Sequence, residues 1–308
     1  MDQPMDVLSL FPVRKSKRQK ERFRTAIQSY CEKLGYRVSV ERGSFGVKNV
    51  VIGDPEEARY LITAHYDTCA WLPFPNLITP CNFLLFGAYQ LLLTALLIVP
   101  AAAFSAALAL AADAPELIGL ISYILLLLEL AFMLFGPANR HNANDNTSGV
   151  VSLLTILRDL PADERNHVCF VLFDLEESGL LGSSSYRSKH RKATSRQLLF
   201  NLDCVGEGNE ILLFPTKKLK KEQSRLKACR ACCSDSDEKT VCVRDRGFAV
   251  YPSDQANFPY GFGIAALCRS KWAGLYLGKI HTNRDRILDE KNVALIKDNL
   301  IHMIQCRI

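Results

Sequence analysis

Between residues 60 and 139 the chain has no lysine and no arginine, although 38 of its 308 residues are basic, 32 are acidic and the net charge is +6. A water-facing surface of that length carries cations interspersed with its anions, so the gap excludes an ordinary solvated stretch. A disulfide scaffold is excluded as well. The 11 cysteines are odd in number and follow no framework, and Cys169, Cys204 and Cys268 fall in apparent strands. Free, often buried thiols suit a reducing compartment. Cys229, Cys232 and Cys233 resemble half of a zinc knuckle. No second Cys/His pair follows at finger spacing, so no structural zinc is expected there. The positive charge comes without a nucleic-acid motif, which argues against a nucleic-acid partner. No apolar core follows the N-terminal charges, so no signal peptide is expected. Internal repeats and low-complexity linkers are missing too.

What fills the gap is apolar. Residues 83–112 are interrupted by Gln90 and Pro100, 113–116 form a polar turn, and 117–136 have Glu129 as their only charge. Each run reaches the ~20 residues that cross a bilayer core. The reading is a transmembrane helical hairpin, residues 83–136, inserted into one catalytic domain made of residues 1–82 and 137–308. A buried hairpin or lid is the alternative, but runs so poor in polar residues would need a large cover in water. Glu129 is costly in lipid and is expected to face the other helix or lie near a membrane edge.

Elsewhere strands and helices alternate, the signature of an α/β fold. Residues 14–24 carry seven Lys/Arg and lead into a helix with Phe23, Ile27, Tyr30, Cys31 and Leu34 on one face, stopped by Gly35. Its basic side is expected against anionic headgroups. Strands are expected at 36–40, 47–52, 60–64, 168–173, 197–202, 211–214 and 264–267, and helices at 217–233 and 289–304.

Glu176 and Glu177 follow the apolar strand 168–173 in a Gly-punctuated turn, at the end of an open sheet where ligand pockets lie. Neighbours in such a turn point in different directions, so one can bind a metal while the other faces substrate as a base. Alternation puts His65 and Asp67 on the same side of another strand end. Asp203 ends a third strand, His281 follows an apolar run, and Asp145 sits in a turn before a helix. Singly each is weak, because acidic turn residues are usually just solvated. Together they supply two imidazoles and five carboxylates, of which three suffice as ligands. Two zinc ions sharing a bridging carboxylate require that set, with a position left open for water.

These segments resemble metallopeptidase family 28, the co-catalytic zinc aminopeptidases. The matching text is Thr-Ala-His65-Tyr-Asp67, Asn-Asp145-Asn-Thr-Ser-Gly, Leu-Glu176-Glu177-Ser-Gly-Leu-Leu-Gly, Asn-Leu-Asp203, Ser253-Asp254 through Gly263-Ile264, and Ile-His281-Thr-Asn-Arg-Asp285. The resemblance implies a three-layer αβα fold around a mixed, mostly parallel sheet, with two Zn2+ per chain or other divalent ions in their place. It implies that Asp145 bridges the metals, that His65 and Asp203 complete one site, and that Glu177 and His281 complete the other. Glu176 would be the general base and Asp67 would orient His65. The Asp145–Asn146 bond would be cis. Two departures stand out: Gln255 where the family has His, and Ala265 where it has Pro, both in what reads as a substrate-facing loop.

The expected function is a membrane-anchored peptidase, acting as an aminopeptidase on peptides with a free N-terminus, with membrane lipid as its other partner. Tyr251, Phe258, Tyr260 and Phe262 are candidates for the side-chain pocket. Glutaminyl-cyclase-like acyl transfer on the same fold, with one zinc, is an alternative; a catalytically inactive membrane-bound binding module is another. The 113–116 turn has no cation, whereas Arg140 and the basic N-terminal helix lie on the other side. The expected topology is therefore two spans, in the cell membrane, with the catalytic domain in the cytoplasm.

Overall fold

In the computed structural model, which describes residues 1–308, a short helix α1 (Asp6–Leu10) that the sequence did not announce precedes α2 (Lys17–Lys33). A capping box between Ser16 and Gln19 starts α2, and Gly35, at φ +84°, follows its end. Strands β1 (Val38–Arg42), β2 (Lys48–Ile52) and β3 (Tyr60–His65) come next, then helices α3 (Phe83–Ala111), α4 (Ile118–Phe135) and α5 (Gly149–Asp159). The chain continues through β4 (Val168–Phe173), α6 (Leu181–Lys189), α7 (Arg191–Thr194), β5 (Leu198–Leu202), β6 (Glu210–Pro215) and α8 (Gln223–Ala231). It closes with β7 (Thr240–Val243), β8 (Gly261–Ser270), β9 (Gly274–Tyr276) and α9 (Glu290–Gln305).

One sheet takes the order β1-β2-β4-β3-β5-β8-β6-β7, with β9 paired to β8. Its centre, β4-β3-β5-β8, is parallel; β2 and β6 join that centre antiparallel. Strand β4 shows why the fold has three layers. Val168, Phe170 and Leu172 pack with Phe23 and Ile27 of α2, Leu153 and Leu157 of α5, and Ile296 and Met303 of α9. The alternate residues Cys169, Val171 and Phe173 pack on the other face with Tyr186 of α6. A strand covered on both faces has no use for polar alternation and reads as a continuous apolar run.

Three expectations need correction. The helix expected at 217–233 is broken: a short turn at Leu219–Lys221 is separated from α8 by Glu222, at φ −91° and ψ 73°. A continuous helix would stack Lys217 on Lys221, a like-charge pair one turn apart. Strands β7 and β9 were not expected, being short edge strands with little apolar pattern. The basic stretch 14–24 does not simply face outward. Arg14 is fully buried, and its guanidinium donates to Tyr66 O (2.6 Å), Phe11 O and Thr147 Oγ1. Lys20 is buried against Asp174 at 2.6 Å, and Arg24 donates to Tyr66 OH. Buried cations persist only when paired, and these tie the N-terminal segment to the sheet.

Helices α3 and α4 are each long and apolar enough to cross a membrane, and hardly any of either is buried. The buried positions of α3 are Ala101, Ser105 and Ala109, a stripe of small residues four apart that allows close helix approach. Leu91, Leu92, Val99, Leu110, Tyr123, Leu128 and Phe135 are exposed. Glu129 is half-buried in a small apolar cavity with Leu97 of α3 and Leu72, Pro73 and Phe74 of the domain, so it faces the partner helix at the hairpin base.

Candidate metal centre

The parallel strands deliver the site from their carboxyl ends. His65 is the last residue of β3 and lies in register with Phe173, the last of β4; Glu176 and Glu177 follow that strand. Asp203 follows Leu202 at the end of β5. Asp145 lies in the turn Ala143–Ser148, which leads into α5, and its bond to Asn146 is cis, as the resemblance implied. Gly149 makes the close approach of α5 possible: a Cβ there would stand 2.3 Å from Leu202 O and 2.4 Å from Asn146 Oδ1. Leu175, Cys204 and His281 have φ of 56°, 56° and 63°, so left-handed non-glycine residues flank the site on three sides. Such conformations cost of order 1–3 kcal/mol each and persist where the surroundings impose them.

All five donor residues converge. His65 Nε2 lies 3.3 Å from Asp145 Oδ1 and 3.7 Å from Asp203 Oδ1. On the other side, His281 Nε2 lies 3.1 Å from Asp145 Oδ2 and 3.4 Å from Glu177 Oε2. The two oxygens of Asp145 thus serve two separate groups. The Glu176 carboxylate stands beside the first group, within 4.8 Å of the His65 and Asp203 donors. Asp67 lies 3.5 Å from His65 Nδ1 and accepts the amides of Glu176 (3.0 Å) and Glu177 (3.3 Å). One carboxylate therefore fixes the backbone of the Glu-Glu turn and stands beside the imidazole.

The electrostatics fit divalent cations. Glu177 Oε1 and Asp203 Oδ1 are buried without hydrogen-bond partners, which is costly unless a cation takes them. Burial pushes the Glu176 and Glu177 carboxyls well above the ordinary range, and neighbouring carboxylates add to it. Burial would raise Asp145 as well, but the imidazoles of His281 and His65 outweigh it and hold it low. Burial disfavours a charged His65, yet Glu176 and the carboxylates of Asp145, Asp203 and Asp67 raise it well above its usual value. Metal binding at such a site displaces protons.

Several supporting residues were given no role from the sequence, although Asp254 and Asp285 stand in the quoted motifs. Asp285 accepts the amides of Asn144 (2.6 Å) and Asp145 (3.0 Å), fixing the turn that presents Asp145; burial lifts its carboxyl to about 8. Arg14 is a buried guanidinium beneath the same turn. Cys69 places its sulfur within 4.8 Å of the Asp145, Glu177 and His281 donors. The alternation His65, Asp67, Cys69 was the available signal for it. Asp254, in the Ser253-Asp254 motif, is fully buried, and burial raises it to about 7.

A cavity of about 520 Å³ lies over the carboxylates, walled by Ile78, Tyr251, Pro252 and Ile280, and by Phe86, Gln90 and Leu134 of the hairpin base. Of the four aromatic candidates only Tyr251 lines it, while Phe258 and Phe262 belong to the core. Nor do the two departures face it. Gln255 is buried, accepting from Asn201 and donating to Tyr251 O, and Ala265 is buried in β8. They were placed in the substrate-facing loop because sequence shows that a residue is near a loop, not which way it points.

A doubly covered, mostly parallel sheet with imidazoles and carboxylates clustered at its strand ends is the arrangement of the zinc-peptidase fold class. Within that class the chain belongs to peptidase family M28, whose family model matches residues 132–304, more than half of the chain. The match includes Asp145, Glu176, Glu177, Asp203 and His281, with His65 and Asp67 preceding it. Comparison with curated protein sequences returns no match. Among solved structures, the LapA aminopeptidase of Legionella pneumophila is 13% identical with a TM-score of 0.58, over 98% of this chain and 67% of that one. A glutaminyl cyclase from Macrostomum lignano is 12% identical with a TM-score of 0.58, over 99% and 88%. The Tannerella forsythia glutaminyl cyclase is 13% identical with a TM-score of 0.55, over 96% and 93%. At such identities the likeness shows a shared fold.

Proposed function

We propose that the chain is a membrane-anchored aminopeptidase that uses two zinc ions. The observation carrying this reading is the division of Asp145: one oxygen faces His65 and Asp203, the other His281 and Glu177. A one-zinc cyclase has no need of both groups. Zinc bound there would supply a water of lowered pKa and polarise the scissile carbonyl. Glu176 takes the proton of the attacking water on its carboxylate and passes it to the leaving amine. Asp67 keeps His65 and the Glu176–Glu177 backbone in one arrangement throughout. The wall formed by Ile78, Tyr251 and Ile280 receives the apolar side chain of the first residue.

The test is hydrolysis of aminoacyl nitroanilides by the full chain. Expected results are turnover with free but not blocked amino termini, loss with a chelator and recovery with zinc. Conversion of N-terminal glutamine to pyroglutamate, with one metal at this centre, would assign the site to the cyclase reading. Metal-loaded protein inert toward both substrates would leave a binding module.

The hairpin, residues 83–136, is read as two spans standing on a catalytic domain formed by 1–82 and 137–308. Support comes from its base. Lys15 Nζ donates to Leu134 O at 3.0 Å, which puts a cation at the domain end of α4. Exposed Trp71, whose amide donates to Pro137 O, and the edge contact of Phe83 with Phe248 add aromatics of the kind that sit at a membrane interface. The far turn, 113–116, has no cation. The domain therefore lies on the cytoplasmic side, with its cavity mouth at the bilayer and short peptides released near the membrane as substrates. A cysteine at Ala114 should be labelled in intact cells by an impermeant maleimide. Exposed native Cys242 should react only after the membrane is opened. The reverse pattern, or release of the chain by carbonate washing, would refute this topology.

A further inference from the structure

Away from the metal centre, Cys232, His302 and Cys306 bring their donor atoms within 4.8 Å of one another. We propose that this trio is a second, independent metal site: a Cys2His set for a zinc-class ion, with water as the fourth ligand. Two of its members are already in ligand geometry. His302 and Cys306 are four residues apart at the end of α9 and share one face. Cys306 Sγ lies 3.5 Å from His302 Nε2. A thiolate and an imidazole bound to one tetrahedral zinc, at about 2.3 and 2.0–2.1 Å, stand about 3.5 Å apart.

The third member is held in place by bonds that do not involve the ligands. Ser234 N donates to Asn299 Oδ1 (2.8 Å), and Asn299 Nδ2 donates back to Ser234 O (3.1 Å). Asn299 precedes His302 by one helical turn. This two-point tie keeps the segment carrying Cys232, which caps α8, against the ligand-bearing end of α9. Cys233 does not take part, because its sulfur donates to Cys229 O. Two thiolates and an imidazole are soft donors that favour zinc over magnesium or calcium. The ion would clip the C-terminal helix to the α8–β7 segment and leave the reacting groups untouched. One cysteine of the half-knuckle seen in the sequence, Cys232, thus finds its partners in the last helix of the chain.

The test is alkylation of the reduced, full-length protein with iodoacetamide, with and without zinc sulfate, followed by peptide mapping. Cys242 and Cys306 are both exposed, so Cys242 is the internal control. Zinc should slow alkylation of Cys306 by about tenfold or more, because a metal-bound thiolate is a poor nucleophile, and leave Cys242 unchanged. His302→Ala, at an exposed position that does not endanger folding, should abolish the protection and lower the zinc content by one per chain, with peptide hydrolysis retained. His302→Cys should restore protection. Alkylation of Cys306 at the Cys242 rate in zinc, or protection undiminished in His302→Ala, would overturn the proposal. So would recovery of a Cys232–Cys306 disulfide as the source of the protection.

Discussion

Replacing Asp145 with alanine is expected to remove both metals and to reduce hydrolysis to background. Each oxygen of Asp145 faces a different His–carboxylate pair, so its loss leaves each group with two ligands and an open side. The fall in rate should exceed the roughly 10²–10⁴-fold that a general base contributes, because water activation and carbonyl polarisation disappear together. Unfolding is not the expected cause. The turn is anchored by its neighbours: Asn144 Oδ1 accepts from Gly206 N and Asn146 Nδ2 donates to Leu202 O. Elemental analysis of zinc-replete protein provides the check. Counting the ion at Cys232, His302 and Cys306, three metals per chain are expected in the wild type and one in the variant; two retained would show that Asp145 is not shared.

The second large effect separates the adjacent glutamates. Glu176→Gln should keep both metals and lose about 10²–10⁴-fold in kcat, the usual worth of a general base. Glu177→Gln should instead weaken one metal, since Glu177 Oε2 is the carboxylate beside His281. The two side chains are consecutive, chemically identical and both half-buried, so only their direction distinguishes them. Metal content and kcat measured on both variants make the comparison. Near-wild-type kcat in Glu176→Gln would remove it from the role of base.

Much of the site was legible because strand ends are local. His65, Asp67, Glu176, Glu177 and Asp203 each sit at or just beyond an apolar strand, and apolar strands covered on both faces are hard to mistake. The turn around Asp145 was legible from its Asn-Asp-Asn-Thr-Ser-Gly text. Asp285 was not, because its task is to accept two backbone amides from a turn 140 residues earlier, and backbone donors leave no trace in side-chain identity.

By itself, then, the sequence determined the α/β class, the two apolar helices and the order of the metal-site candidates. All three are written in short-range pattern: continuous apolar runs, the absence of charge over 60–139, and acids or histidines at run ends. Tertiary structure decided what depends on where distant segments meet. It turned Arg14, Lys20 and Arg24 inward, although a cation in a helical stretch looks the same whether it meets water or a buried carboxylate. It buried Gln255 and placed Ala265 inside β8, away from the cavity. It also brought Cys232 against His302 and Cys306, because the Ser234–Asn299 bonds hold the end of α8 to α9 and the sequence between them encodes no distance.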